Sequence, residues 1–256
     1  MAATQSLLAY LETEAPPRLP TENTVTGPNT TNMNYEYRDI TQISVWPEFN
    51  YSLILQQYGT DLDTLQIVSN PMPTSPPRAI RDESLFHNRF CEYILPRMRK
   101  ALRGGFEQLG PQLPALQLTP VAFDGGSAAD LVLNFKPDMA FVAVNSTVGS
   151  GKNRCPGDLK VSWKWKSEWR ESLIFLQARE YRQVLSQINF YMKQNGARYG
   201  FVITDTELVP VKRLSEDGHV AVATAIPWTQ RGPGQLTVLL GLWYLGMLAA
   251  SSNWEL

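Results

Sequence analysis

The chain has 256 residues, enough for one sizeable hydrophobic core. It is 43% hydrophobic and 18% charged, with a formal net charge of -1, which argues against a generic polyanion binder while leaving room for a local basic groove. Two cysteines, Cys91 and Cys155, match no metal-binding spacing and point to a reducing, intracellular compartment, cytoplasmic or nuclear. The opening "MAATQSLLAYLETEAPP" lacks the basic start and apolar run of a signal peptide, so a secreted protein is not expected. Without such a signal the sequons at Asn29, Asn50 and Asn145 carry little weight.

Residues 1–34 are rich in Pro, Thr and Asn and lack periodicity. They read as a mobile tail with a short helix near Leu7, and residues 35–256 as a single domain. The stretch Tyr35 to Asn70 gives mixed signals, and "NPMPTSPPR" from Asn70 is a proline-rich connector. From Asp82 to Arg103 the apolar residues Phe86, Phe90, Ile94, Met98 and Leu102 form a helical stripe, capped by Asp82, kinked at Pro96 and ended by Gly104 and Gly105. "QLTPVAFDGG" and "ADLVLNFKPDMAFVAV" predict two strands joined by a turn at Gly125 and Gly126.

A polar loop then leads to "PGDLKVSWKW". Read as a strand, it places Asp158, Lys160, Ser162 and Lys164 on one face and Leu159, Val161, Trp163 and Trp165 on a core face. A long helix follows to Gln194, with Gly196 as its stop. "RYGFVITD" and "ELVPVKRL" predict a hairpin, and "HVAVATAI" a further strand. "QLTVLLGLWYLGMLAASS" is too short to span a bilayer, which needs about 20 apolar residues, and reads as a buried helix; no membrane association is expected. This order predicts an α/β fold, a three-layer sandwich with a mixed central sheet flanked by helices.

Within that frame several polar residues draw together. Asp138 lies on one strand, and Asp158 and Lys160 share a face of the next. Glu83 opens the first strong helix. Gln187 and Tyr191, four apart, share a face of the second. Two carboxylates from neighbouring strands suit Mg²⁺, which takes one or two carboxylates and keeps waters and phosphate oxygens as its other ligands. A lysine beside them can orient water or offset charge on a phosphoryl oxygen. Singly, each has a plain structural reading: Asp138 as a strand start, Asp158 as a turn residue, Lys160 as part of a solvated face, Glu83 as a helix N-terminal charge, Gln187 as a helix edge and Tyr191 as a core anchor.

The order Pro137-Asp138, then Asp158-Leu159-Lys160, then Gln187-x-x-x-Tyr191 resembles the PD-(D/E)XK nuclease superfamily, the last element matching the QxxxY of its exonuclease branch. The text from "PGDLKVSWKW" to "FVITD" also resembles nuclease-like proteins of filamentous fungi. The resemblance covers about Asp82 to Leu214 and implies a restriction-endonuclease-like fold. It implies that Asp138 and Asp158 bind Mg²⁺ or Mn²⁺, with the carbonyl of Leu159 as a further ligand. Lys160 is then the catalytic lysine, Glu83 the helix acid with Glu92 as a substitute, and Gln187 the supporting helix residue. The loop between the acidic strands is long, and no separate recognition domain is evident.

"KVSWKWKSEWR" interleaves bases with tryptophans. Lys164, Lys166, Trp169 and Arg170, with Tyr191, are candidates to grip a phosphate backbone and stack bases, making nucleic acid the expected partner. "VGSGK" lacks the phosphate-loop spacing, since Ser146 and Asn153 stand where Gly and Ser/Thr belong. His87 and His219 have no partners by spacing. The leading expectation is a Mg²⁺-dependent nuclease acting on DNA or RNA. Beside it stand a repurposed enzyme of the same fold in fungal specialised metabolism, using a small or tRNA-dependent substrate, and a non-catalytic binding protein with a degenerate site. A basic groove entering the acidic pocket favours the first, and a closed apolar pocket above Asp158 the second.

Overall fold

Alternation along the strands sets the layers. In the computed structural model, which describes residues 3–13, 19–72 and 78–256, Phe201 and Ile203 enter one core while Val202 between them enters another. A strand buried on both faces has no polar side, and Tyr199–Ile203 is accordingly an unbroken apolar run.

In chain order the elements are β1 (Thr4–Ser6), α1 (Leu7–Glu12), β2 (Gln42–Val45), α2 (Tyr51–Thr64), β3 (Gln66–Val68), α3 (Glu83–Tyr93), α4 (Leu95–Leu109), β4 (Val121–Gly125), β5 (Met139–Ala143), β6 (Gly157–Leu159), α5 (Phe175–Asn195), β7 (Tyr199–Ile203), β8 (Glu207–Arg213), β9 (His219–Val222), β10 (Ile226–Pro227) and α6 (Val238–Ala250). The main sheet has eight strands in the order β2-β9-β8-β7-β6-β5-β4, with β10 beside β8. It is mixed: β2–β9 and β6–β7 are parallel, and the other pairs antiparallel. One face packs on α5 through Val184, Leu185, Ile188 and Met192. The opposite face packs on α3, α4 and α6 through Phe86, Phe90, Leu102, Leu242 and Leu245. The expected three-layer α/β sandwich is present.

Local signals place the helices. Asp82 caps α3, accepting the Leu85 N–H at 2.8 Å. Gly196 ends α5 in the left-handed conformation, φ 66°. Thr237 caps α6, in which every residue but Leu248 is buried. Pro96 separates α3 from α4 instead of kinking one helix, and sits in the first turn of α4, where no N–H is needed. Gly104 and Gly105 do not end that helix. A Cβ on Gly104 would lie 2.7 Å from the Ile67 side chain, so glycine serves close packing against β3.

Three further expectations change. The second expected strand, "ADLVLNFKPDMAFVAV", begins only at Met139; Val132–Asn134 form a turn with Leu133 and Asn134 at positive φ, and Asp138 stands just before β5. The third strand stops at Leu159. Beyond it Asp205 accepts both the N–H of Ser162 (2.6 Å) and its hydroxyl (2.9 Å), turning the chain off the sheet. Leu159 and Val161 therefore enter one core, and Trp165 enters the other, stacked on Tyr181 at 5.6 Å. Finally, the stretch expected as a tail packs into the fold: Leu7, Tyr10 and Leu11 are buried, because apolar residues at this spacing cover α6 and α4. Residues 1–2 and 14–18 of that stretch, and 73–77 of the proline-rich connector, lie outside the described residues.

Candidate functional site

Strand β6 delivers the centre. Asp158 and Lys160 point to the α5 side while Leu159 points to the other, as period two requires. Lys160 Nζ lies 2.7 Å from Asp158 Oδ2, and both side chains are almost fully buried, 5% and 3% exposed. Asp138 reaches the same place from the segment just before the neighbouring strand β5, its Oδ2 accepting the Leu159 N–H at 2.8 Å. The N–H and C=O of one strand residue point the same way, so the Leu159 carbonyl also faces Asp138. The Lys160 N–H points the other way, to the Ile203 carbonyl at 2.9 Å. The two aspartates and the lysine therefore converge.

Close approach makes this convergence possible. Gly157 lies beneath the Phe201 ring, where a Cβ would come within 2.0 Å. Gly126 donates its N–H to the Asp138 carbonyl at 2.9 Å, and a Cβ there would lie 1.7 Å from the Pro137 oxygen.

Glu83, in the first turn of α3, pairs with Lys164, its Oε1 3.7 Å from Nζ, and its charge acts on Lys160. Glu92 instead pairs with Arg89 at 2.9 Å and is half exposed. On α5, Gln187 donates to the Tyr191 hydroxyl at 3.1 Å, with both residues buried. The basic residues proposed to grip a backbone are engaged within the chain. Lys164 pairs with Glu83, Lys166 with Glu168 at 3.5 Å, and Arg170 with Glu171 at 3.3 Å and the Ile43 carbonyl at 3.3 Å. Trp169 packs on the α5-side core.

The sequence reading missed a strap, residues 25–35, laid across α5 and the turn after β6. Trp163 Nε1 donates to the Val25 carbonyl at 3.2 Å. Asn29, itself buried, donates its N–H and its side-chain amide to Glu180 (2.7 and 2.9 Å) and the same amide to the Lys164 carbonyl (3.0 Å). Gln183 donates to the Thr30 carbonyl at 3.0 Å. Tyr35 closes the strap against Phe190, Phe135 and Tyr191, close enough to feel both Asp158 and Lys160. Tyr35 and Tyr37 within an Asn- and Thr-rich run were the local sign available.

Electrostatically the centre holds more negative than positive charge. Burial drives the Asp158 carboxyl up from its ordinary 3.8 to about 7; the Lys160 ammonium opposes this, and the adjacent Asp138 adds to it. Burial would lower Lys160, but Asp158 and Glu83 outweigh it and hold the ammonium charged. Tyr191 is pushed up by burial and by the Asp158 charge. Asp158 Oδ2 has the Lys160 charge beside it but no well-directed donor, and Gln187 Oε1 is buried without a partner.

These orphaned acceptors test whether a divalent cation suits the site. Among the described residues no three His, Cys, Asp or Glu side chains form a metal-holding group. Two carboxylates, a carbonyl on their side and unsatisfied oxygen nevertheless match the oxygen-only, partly hydrated shell of Mg²⁺. The residues present fit.

A consequence for stability follows. Asp158 binds its proton more tightly folded than unfolded, so the folded state holds more protons between about pH 4 and 7, and stability falls as pH rises through that window. The contribution is complete below about pH 4 and lost above about 7. Thermal melts from pH 5 to 8 should therefore decline more steeply for the wild type than for Asp158→Asn. Parallel declines would contradict the assignment.

No protein-family model, curated protein or solved structure matches the chain. Among the described residues no helix is long and apolar enough to cross a membrane.

Proposed function

We propose that the chain is a metal-dependent phosphodiesterase of the nuclease-like type, with Asp138, Asp158 and Lys160 as its centre and nucleic acid as its substrate class. The observation that carries this reading is the meeting of the two carboxylates and the lysine at one buried point that holds surplus negative charge. Asp138, Asp158 and the Leu159 carbonyl would hold Mg²⁺ or Mn²⁺, which when bound supplies Lewis acidity and a more acidic water. Lys160 stands ready to offset charge on a phosphoryl oxygen. Gln187 and Tyr191 brace the floor, and Glu83 with Lys164 forms the rim. Both cysteines are free, which supports a reducing, intracellular setting.

A second reading draws on the closure of the centre. Asp158 and Lys160 are 2% and 4% exposed, with Tyr35 and Tyr191 beside them, and the neighbouring bases are engaged by the chain's own carboxylates and carbonyls. A site closed in this way suits a small phosphate ester, the repurposed form of the same chemistry. One assay separates the two. Single- and double-stranded DNA and RNA, and the small diester bis(p-nitrophenyl) phosphate, are incubated with Mg²⁺ or Mn²⁺ and the wild type, Asp158→Asn, or the strap variant Asn29→Ala/Tyr35→Ala.

Polynucleotide cleavage lost in Asp158→Asn supports the nuclease. The strap variant should raise that cleavage if the strap limits entry. Hydrolysis of the small diester alone, lost in Asp158→Asn, supports the repurposed enzyme. Both readings are overturned by activity undiminished in Asp158→Asn, which places the cleavage outside this centre, and by no activity in the wild type on any substrate, which leaves a binding protein.

A further inference from the structure

Helix α5 overhangs its own core. Its first buried residue is Tyr181, so the residues from Phe175 to Glu180, about 9 Å of helix at 1.5 Å per residue, extend beyond it. The chain enters this overhang through four successive apolar residues that nothing covers. Leu173 is fully exposed, and Ile174, Phe175 and Leu176 are 57%, 68% and 63% exposed. A lone exposed leucine is ordinary, whereas a contiguous apolar patch marks a binding face.

The tip stands on an anchored base. Ser167 donates its N–H and its hydroxyl to the Glu207 carboxylate, both at 2.7 Å, and Trp169 packs on the α5-side core. Ser172 then turns the chain into the helix, its hydroxyl accepting the Ile174 N–H at 3.1 Å and donating to Gln177 Oε1 at 2.6 Å. The base is also basic, in a chain whose net charge is -1. Residues 164–182 hold five Lys and Arg against three Glu. Arg179 and Arg182, one and two turns behind Phe175, have no carboxylate partner among the described residues. The first lies over the Tyr37 ring at 5.6 Å, and the second donates to the Ile40 carbonyl at 2.6 Å.

Shape decides what the tip fits. Ile174 is extended, with φ -83° and ψ 111°, and Phe175 opens the helix. Side chains alternate along an extended chain and step by about 100° in a helix, so these four point around the tip and not along one stripe. A groove on a partner protein takes a stripe, whereas a fluid apolar layer takes a tip from every side. A second copy fits less well, because a stable interface needs about 800 Å² from each partner, more than two convex tips bring together.

We propose that this tip docks the chain on an anionic lipid surface. Leu173, Ile174, Phe175 and Leu176 enter the boundary of the acyl chains, and Arg179 and Arg182 face the headgroup phosphates. Such docking needs no helix that crosses the membrane, and among the described residues there is none.

Flotation of the full chain with sealed vesicles tests this, using phosphatidylcholine alone and phosphatidylcholine mixed with phosphatidylserine. The wild type should bind the mixed vesicles at least tenfold more tightly, less so as salt is raised. Leu173→Glu/Phe175→Glu should weaken that binding at least tenfold with an unchanged melting temperature, and Leu173→Ser/Phe175→Ser serves if that pair misfolds. Phe175→Trp should still bind, and bromine-labelled acyl chains should quench its emission beyond that of the wild type. The proposal is overturned by no flotation with the mixed vesicles, by binding undiminished in the folded double variants, or by binding without the added quenching. It is overturned too if vesicles leave the chain free while a concentration-dependent dimer, or binding of a single-stranded oligonucleotide, is lost in those variants. None of these readouts depends on cleavage, so they stand or fall apart from the phosphodiesterase reading.

Discussion

Lys160→Met should lower stability at pH 8 by about 3–5 kcal/mol, the usual cost of removing one partner from a buried ion pair. For a chain of this size that is a fall of about 10 °C in melting temperature. The reason lies in the local charge count. Asp158, Asp138 and Glu83 all act on this one ammonium, and without it Asp158 is a buried carboxylate facing another. The loss should shrink at pH 5, where Asp158 carries its proton in both proteins, and Asp158→Asn/Lys160→Met should recover much of it. Turnover of whichever diester the wild type cleaves should drop roughly 10²-fold or more, the scale of losing one preorganised electrostatic group. A melting temperature unchanged at pH 8 would mean that the pair is not charged, and full turnover would remove Lys160 from the chemistry.

Gly126→Ala should be comparably severe, though it carries no charge. The added Cβ would lie 1.7 Å from the Pro137 oxygen and 2.7 Å from its carbonyl carbon. Both are backbone atoms and cannot rotate away. Either the turn after β4 or the Pro137-Asp138 peptide must move, breaking the bond from Gly126 N–H to the Asp138 carbonyl. Overpacking of this kind costs roughly 3 kcal/mol. Because the residue displaced is Asp138, the substitution should also reduce metal binding, although residue 126 touches no ligand. Equilibrium denaturation and metal titration check the two effects. A wild-type denaturation midpoint would show that the segment before β5 yields easily.

What the sequence disclosed follows the range of the forces involved. Asp158 and Lys160 were legible as a pair because two residues along a strand share a face whatever surrounds them, and Gln187 with Tyr191 because four along a helix do. Gly196 was legible because a left-handed helix stop is a local property. The same period misplaced Trp165, since Asp205, more than forty residues on, takes the Ser162 N–H and ends the strand early. Gly104 and Gly105 suggested a helix stop by propensity, and packing against Ile67 overrode it. The strap was hidden because Asn29 and Tyr35 find their partners on α5, some 150 residues away. The basic run looked free because its partners are set by the fold: Glu83 lies on another helix, and the local turn brings Glu168 to Lys166 and Glu171 to Arg170.

The central claim is that Asp138 and Asp158 hold a divalent cation beside Lys160. Its most direct measurement is Mn²⁺ binding, followed by electron paramagnetic resonance at pH 8, above the range in which Asp158 loses its proton. The account predicts one bound ion per wild-type chain, displaced by excess Mg²⁺. Affinity should be weakened at least tenfold in both Asp138→Asn and Asp158→Asn and retained in Lys160→Met. No bound ion in the wild type, or an affinity unchanged in both asparagine variants, would contradict it.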